Sequence, residues 1–248
     1  MTAPTMIVAS GSQMAKGPKI PDFGGPSCPP DSTFCWSWVQ DNWHRVLLPR
    51  LIEHIYITLI ALGCGLAITL VAALIAFRFN WFEKGFAGFS LLLYTIPSLA
   101  FFRLFGKYTG FGLLTIELGL TGYTFLLLFR NILTGLRSAP SSATAAATGM
   151  GMTPGQRLFQ INLPLALPSI MAGLRVSSVT AIALAAIAAN IAPLGLGAPI
   201  FDAQATTFKT ELIAASVLAI LLALAGDIIF VLLGRAVTPW VRARGGRG

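Results

Sequence analysis

Long apolar segments alternate along the chain with shorter segments that carry most of the charged residues. A helix that crosses a membrane needs about 20 mostly apolar residues. Five stretches have that character: 55–77, 85–102, 108–129, 176–200 and 212–234. Glu117 and Asp227 are the only charged residues inside them, and none shows the strict alternation of a half-buried strand. The pattern therefore predicts an all-α membrane protein with about five transmembrane helices.

Composition and charge agree with a membrane protein. The chain is 55% hydrophobic and 10% charged, whereas an ordinary soluble domain carries about 25% charged residues. Its formal net charge of +8 would suggest nucleic acid in a soluble protein. Here the basic residues lie between apolar stretches, where they set the orientation of the helices in the membrane. No nucleic-acid partner is expected.

The distribution of Lys and Arg predicts which side each loop faces. The segments 78–84 and 130–166 and the C-terminal tail are rich in basic residues, as cytoplasmic segments are. With five spans the termini lie on opposite sides, so we expect the N-terminus outside and the C-terminus in the cytoplasm. Three regions follow: an N-terminal extension (1–50), a transmembrane domain (51–238, with a cytoplasmic loop at 138–166) and a basic tail (239–248).

The N-terminal extension is rich in Pro and Gly up to position 30 and then contains a cluster of Trp residues. Trp is favoured at membrane interfaces, so 36–50 is predicted to be an interfacial helix at the outer surface. Cys28 and Cys35 also fall on the predicted outer side, where a disulfide would persist. Their spacing leaves a disulfide and two free thiols both open.

The loop 130–166 has its own helix signals. The segment 141–147 is rich in strong helix formers and predicts a short helix. Thr153 followed by Gln156 is a capping-box pattern that predicts the start of a second helix. That helix is expected to end before Pro164, because the residue before a proline avoids helical backbone angles. A folded loop of small side chains suits docking to another protein.

The same loop resembles the cytoplasmic signature of permeases of binding-protein-dependent ABC importers. That signature reads Glu-Ala-Ala, three free positions, Gly, nine free positions, Ile, one free position and Leu-Pro. The matching positions are Ala145, Ala146, Ala147, Gly151, Ile161, Leu163 and Pro164. Ala145 stands where the family has Glu. The strings 149–154, 163–168 and 94–100 resemble the osmoprotectant branch, whose permeases serve glycine betaine, choline, carnitine and proline-like solutes.

The resemblance implies that the loop is a coupling helix which docks into a separate cytoplasmic ATPase. The residues implied to contact or support that ATPase are Ala145, Ala146, Ala147, Gly149, Gly151, Met152, Leu163 and Pro164. No phosphate-binding motif is present in the chain, so it is not expected to be an enzyme or to hold a cofactor. ATP and Mg²⁺ would be bound by the ATPase.

Further partners implied by the resemblance are an extracytoplasmic solute-binding protein and a second permease, in the lipid of the cell (inner) membrane. The missing acid at Ala145 slightly favours a heterodimer over a homodimer, because the second permease could retain it.

Polar residues inside the predicted spans are candidates for function. Asp227 is expected to cap a helix or pair with a basic group, and Glu117 to pair with Arg103 or Lys107. Candidate residues of a translocation path are Tyr94, Pro97, Ser98 and Asn190. The competing interpretations are a stand-alone secondary transporter and a membrane enzyme or sensor. The chain shows neither an internal repeat nor a catalytic constellation.

Overall fold

The structure is a computed structural model that describes residues 33–240, and this part of the chain is helical without strands. It opens with α1 (Trp36–Asn42), a π-helical segment (Trp43–Leu47) and α2 (Leu48–Arg78). These form one continuous helix of 43 residues, about 65 Å long. That is roughly twice the ~30 Å hydrocarbon thickness of a bilayer, so part of it extends beyond the span.

The predicted interfacial segment 36–50 is therefore helical, but no break separates it from the first span. It packs against the last helix, α10 (Lys209–Val237). The ring of Trp38 meets that of Phe208 edge to face at 5.2 Å, and the backbone N–H of Cys35 donates to Thr210 Oγ1 at 3.1 Å. Cys28 lies outside the described residues, so whether it forms a disulfide with Cys35 is not tested.

The second predicted span is broken. The helices α3 (Asn80–Thr95) and α4 (Ser98–Thr109) meet at an angle of 100°. The helix through the predicted span 85–102 is interrupted because Ile96 precedes Pro97 and adopts an extended backbone (ψ 126°). The hydroxyl of Tyr123 donates to the Ile96 carbonyl, which the break leaves without a helical partner.

The central helix is α5 (Leu113–Arg137), which packs against α2, α3, α4 and α8 (Leu163–Ala188). The third span was predicted at 108–129, and its start is wrong because Gly110 takes a left-handed backbone (φ 84°) and ends α4. Two apolar clusters surround α5. One lies where α2, α5 and α8 approach the 138–162 loop, and the other lies at the opposite end near Phe102.

Two predicted boundaries around α8 also need correction. The helix does not end before Pro164 but continues from the loop through a π-helical segment (Leu158–Asn162) into α8. It then stops at Ala188, twelve residues before the predicted end at 200. The short helix α9 (Gly197–Thr206) follows a loop and leads to α10.

Within residues 33–240, four helices are long and apolar enough to cross a membrane. The bent pair α3–α4 makes five if it counts as one span. The predicted first and fifth spans lie inside α2 and α10 as expected.

Candidate coupling loop and translocation path

The loop between α5 and α8 is built around the end of α6 (Ser141–Gly149). The N–H of Met152 donates to the Ala147 carbonyl at 3.1 Å, and that of Gly151 to the Thr148 carbonyl at 3.0 Å. Gly151 has a left-handed backbone with φ 77°. This bonding is a Schellman motif, in which glycine reverses the chain and satisfies the last helical carbonyls. Gly149 therefore stays helical, and Gly151 is the residue that ends the helix.

A second helical segment, α7 (Pro154–Arg157), starts with the predicted capping box. Thr153 Oγ1 accepts from the Gln156 N–H at 3.3 Å, and Gln156 Oε1 accepts from the Thr153 N–H at 2.8 Å. Arg157 Nη1 also donates to Thr148 Oγ1 at 2.7 Å. The two short helices of the loop are thus hydrogen-bonded to each other.

The loop presents small and apolar side chains outwards. Ala145, Ala146, Gly149 and Gly151 are exposed, while Met152, Leu163 and Pro164 are half-buried. Ala147 is completely buried, so it packs inside the protein and cannot offer its side chain to a partner. Sequence reasoning missed two large exposed side chains in this loop, Met150 (74% exposed) and Phe159 (59% exposed). A methionine and an aromatic ring exposed within a defined loop are typical of interface anchors.

The base of the loop is tied directly to the spans. Asn162 is buried, and its Nδ2 donates to the Leu136 carbonyl at the end of α5 at 2.9 Å. The N–H of Leu163 bonds five residues back to Leu158, in the π-helical manner. A wider turn of this kind accommodates Pro164, which has no N–H to contribute. A displacement of the loop would therefore act on both α5 and α8.

The candidate path residues fall into two groups. Tyr94, Pro97 and Ser98 lie at the bend between α3 and α4, where the rings of Tyr94 and Tyr123 lie 6.3 Å apart. Asn190 follows α8, and its Oδ1 accepts from Arg103 Nη2 of α4 at 3.3 Å. The bend and the end of α8 are thus linked through α4.

The two acids inside the spans behave differently. Asp227 pairs with Arg175 of α8, and Arg175 Nη2 lies 2.9 Å from Asp227 Oδ2. The expectation of a basic partner for Asp227 is confirmed. The expected partners of Glu117 are wrong, because both of its carboxylate oxygens are buried without a hydrogen-bond partner. Arg103 instead bonds to Asn190.

Comparison with known proteins defines the class to which this fold and loop belong. Residues 65–243 match the family described as "Binding-protein-dependent transport system inner membrane component", and the chain belongs to that family. The choline transport system permease OpuBB of Bacillus subtilis (strain 168) is 32% identical over 193 residues, which cover 78% of this chain and 89% of OpuBB. The osmoprotectant import permease OsmW of Salmonella typhimurium is 32% identical over 194 residues, which cover 75% and 89% of the two chains.

Among solved structures, a chain of the MetNI methionine ABC transporter in an inward-facing conformation matches with a TM-score of 0.66. The match covers 82% of this chain and 97% of that chain at 19% identity. At that identity it establishes the fold alone. The chain is thus a membrane-spanning permease with the helical architecture of ABC importers, and its relatives include permeases of the osmoprotectant branch.

Proposed function

We propose that this permease imports an osmoprotectant of the quaternary-amine type, and that hydrolysis of ATP by a separate ATPase subunit drives the transport. The observation that carries the proposal is the folded loop 138–162, which exposes small and apolar side chains, is bonded at its base to α5 and continues into α8. A displacement of this loop by a partner protein would be transmitted to two spans, α5 and α8. The chain itself would carry out no chemical step.

The docking surface on this loop comprises Ala145, Ala146, Gly149, Gly151 and Met150. Small side chains allow the surface of an ATPase to approach the backbone of α6 closely, and Met150 adds a flexible apolar anchor. Ala147 is buried behind this surface, and Leu163 and Pro164 continue the loop into α8. ATP and Mg²⁺ would be held by the ATPase, on the cytoplasmic side, with the N-terminus of this chain on the opposite side.

The solute class is supported by the relatives, because OpuBB is named for choline and OsmW for osmoprotectants. An external solute-binding protein would deliver the solute, as the family description implies. The second permease is proposed to be a different chain, since Ala145 lacks the acid of the family signature. Tyr94, Pro97, Ser98 and Asn190 are proposed to border the path.

The experiment is solute-stimulated ATP hydrolysis by the assembled transporter in lipid, with glycine betaine or choline as the solute. The native chain is compared with Gly151→Trp, which places a large side chain on the docking surface. Leu224→Trp is the matched control, because Leu224 is 56% exposed on α10 and far along the chain from the loop.

We expect Gly151→Trp to lose stimulated hydrolysis while Leu224→Trp retains it, with both variants as well folded as the native chain. The proposal fails if no ATPase associates with the native chain, or if Gly151→Trp hydrolyses ATP like the native protein. A stand-alone secondary transporter would then be the better interpretation.

A further inference from the structure

The loop 189–196, which joins α8 to α9, is held at the end of the molecule opposite to the coupling loop. The helix α8 has 26 residues, so about 39 Å separates the two loops. The sequence predicted no contacts for this loop and named only Asn190 in it, as a candidate path residue. The structure shows that it is bonded to two different helices, α2 and α4, and that the two attachments are unequal.

On the α2 side, two charged residues bond to backbone groups of loop residues that lie two positions apart. Arg50 Nη1 donates to the Pro193 carbonyl at 2.8 Å and to Glu53 Oε2 at 2.9 Å. The same Glu53 oxygen accepts from the N–H of Gly195 at 2.8 Å. The Arg50–Pro193 bond is exposed, as the Arg103–Asn190 bond is, so the difference between the two attachments comes from the half-buried Glu53–Gly195 bond and the buried contacts of His54.

His54, the next residue on α2, adds a buried contact. Its side chain is fully buried, its Nδ1 accepts from the Leu196 N–H at 3.1 Å, and its Nε2 lies 3.1 Å from the Ile182 carbonyl. Because Nδ1 accepts a bond, the ring proton must be on Nε2, where it is donated to Ile182. One neutral ring thus joins α2, α8 and the loop.

The loop backbone is fitted to this site. Gly195 has φ 62°, and a Cβ there would lie 2.8 Å from His54 Nδ1. At Gly197 a Cβ would lie 2.1 Å from the Ala186 carbonyl oxygen. Both positions require glycine, the first for its backbone angle as well as its size.

On the α4 side the polar attachment is much weaker. Within residues 33–240 it consists of the bond from Arg103 to Asn190 at 3.3 Å, and both side chains are exposed. Exposed polar contacts of this kind contribute little to stability. Ile191, Ala192 and Leu194 of the loop also pack in the apolar cluster that contains Phe102, but such contacts can slide or part without leaving a buried polar group unsatisfied.

We propose that Arg50, Glu53 and His54 are positioning residues that keep the loop 189–196 attached to α2 throughout the transport cycle. This end of the permease would then open by separation of the loop from α4 at the Arg103–Asn190 contact. The proposal rests on the proposed function, since it assumes a transport cycle driven by ATP.

The test uses two cysteine pairs in a chain whose native cysteines are replaced by Ser. One pair is Arg50→Cys with Pro193→Cys, and the other is Arg103→Cys with Asn190→Cys. Each pair is treated, in the assembled transporter, with a bifunctional thiol reagent that has about the reach of an Arg side chain. Two quantities are measured: glycine betaine-stimulated ATP hydrolysis before and after cross-linking, and the cross-linking yield in nucleotide-free and ATP-trapped states.

Cross-linking of the 103–190 pair is expected to abolish stimulated hydrolysis, and its yield is expected to differ between the two states. Cross-linking of the 50–193 pair should leave hydrolysis unchanged, with the same yield in both states. The proposal is overturned if the 50–193 cross-link blocks hydrolysis or forms with a yield that depends on nucleotide. It is also overturned if the 103–190 cross-link leaves hydrolysis unchanged and forms with the same yield in both states.

If a cysteine pair shows no stimulated hydrolysis before cross-linking, its cross-linking yields in the nucleotide-free and ATP-trapped states alone test the proposal. Failure of the proposed function is recognised separately, because the cysteine-free and native transporters would then show no stimulated hydrolysis at all.

Discussion

Replacement of Gly151 by Ala isolates the backbone conformation that shapes the coupling loop. A Cβ at this position would meet no atom within 4 Å, so the substitution causes no steric clash. The whole cost comes from the left-handed backbone angle of φ 77°, which disfavours an L-residue by about 1–2 kcal/mol. Gly155→Ala is the matched control, because it adds the same methyl group in the same loop, also without a neighbour within 4 Å and without a positive φ.

The expected consequence is a weaker complex with the ATPase. If the Schellman end of α6 must form for docking, a strain of about 1–2 kcal/mol lowers the affinity roughly 5- to 30-fold. Gly155→Ala should bind like the native chain, since Ala is favoured over Gly in a helix. The assay is titration of the isolated ATPase onto the permease in lipid nanodiscs.

Thermal unfolding of the same samples shows whether the helical domain is intact. The reasoning is refuted if Gly151→Ala binds as tightly as the native chain, or if Gly155→Ala loses as much affinity. Either result would mean that the left-handed turn at Gly151 does not define the docking shape.

Three further substitutions test the packing of the spans by thermal unfolding in lipid. Gly135→Ala should lower the stability of the permease by about 1–3 kcal/mol, because its Cβ would lie 3.0 Å from a carbonyl oxygen of α8. The control Gly88→Ala should leave stability unchanged, because its Cβ would meet no atom within 4 Å. Equal effects of the two substitutions would contradict the close approach of α5 and α8 at Gly135. Arg175→Gln should lower Tm by leaving Asp227 unpaired, and the added change Asp227→Asn should recover part of the loss. If the change in Tm of the double variant equals the sum of the changes in the two single variants, the pairing is contradicted. Glu117→Gln should raise Tm, because it removes an acid whose oxygens have no partner, and a lower Tm would show a stabilising interaction.

The parts of the fold that the sequence predicted are those encoded by local signals. The spans in α2 and α10 follow from uninterrupted apolar length. The start of α7 follows from the Thr153–Gln156 capping box, which needs only three residues of separation. In these cases the residues that determine the structure are neighbours in the sequence.

The ends of the middle spans were predicted poorly because their breaks are uncharged. Hydropathy does not distinguish a helix from a loop such as 189–196, which is nearly as apolar as α8. The break at Pro97 was visible as a proline, but proline is tolerated within membrane helices when other groups satisfy the freed backbone. At the 100° bend the freed carbonyl of Ile96 accepts from Tyr123, which lies 27 positions away in the sequence.

The contacts of the loop 189–196 could not be predicted for a similar reason. His54 and Leu196 are 142 positions apart, as are Glu53 and Gly195. A single sequence contains no signal that relates such distant residues. The burial of Ala147 inside the signature was likewise hidden, because the signature spacing does not say which of three successive alanines faces inwards.

The central claim is that this permease imports its solute only with a separate ATPase, and uptake into proteoliposomes tests it most directly. Radiolabelled glycine betaine or choline is supplied with the solute-binding protein on one side, and ATP on the side of the ATPase. The account predicts uptake that requires ATP, the ATPase and the binding protein together, and that is lost with Gly151→Trp. Uptake by the permease alone, driven by an ion gradient and indifferent to ATP, would contradict it.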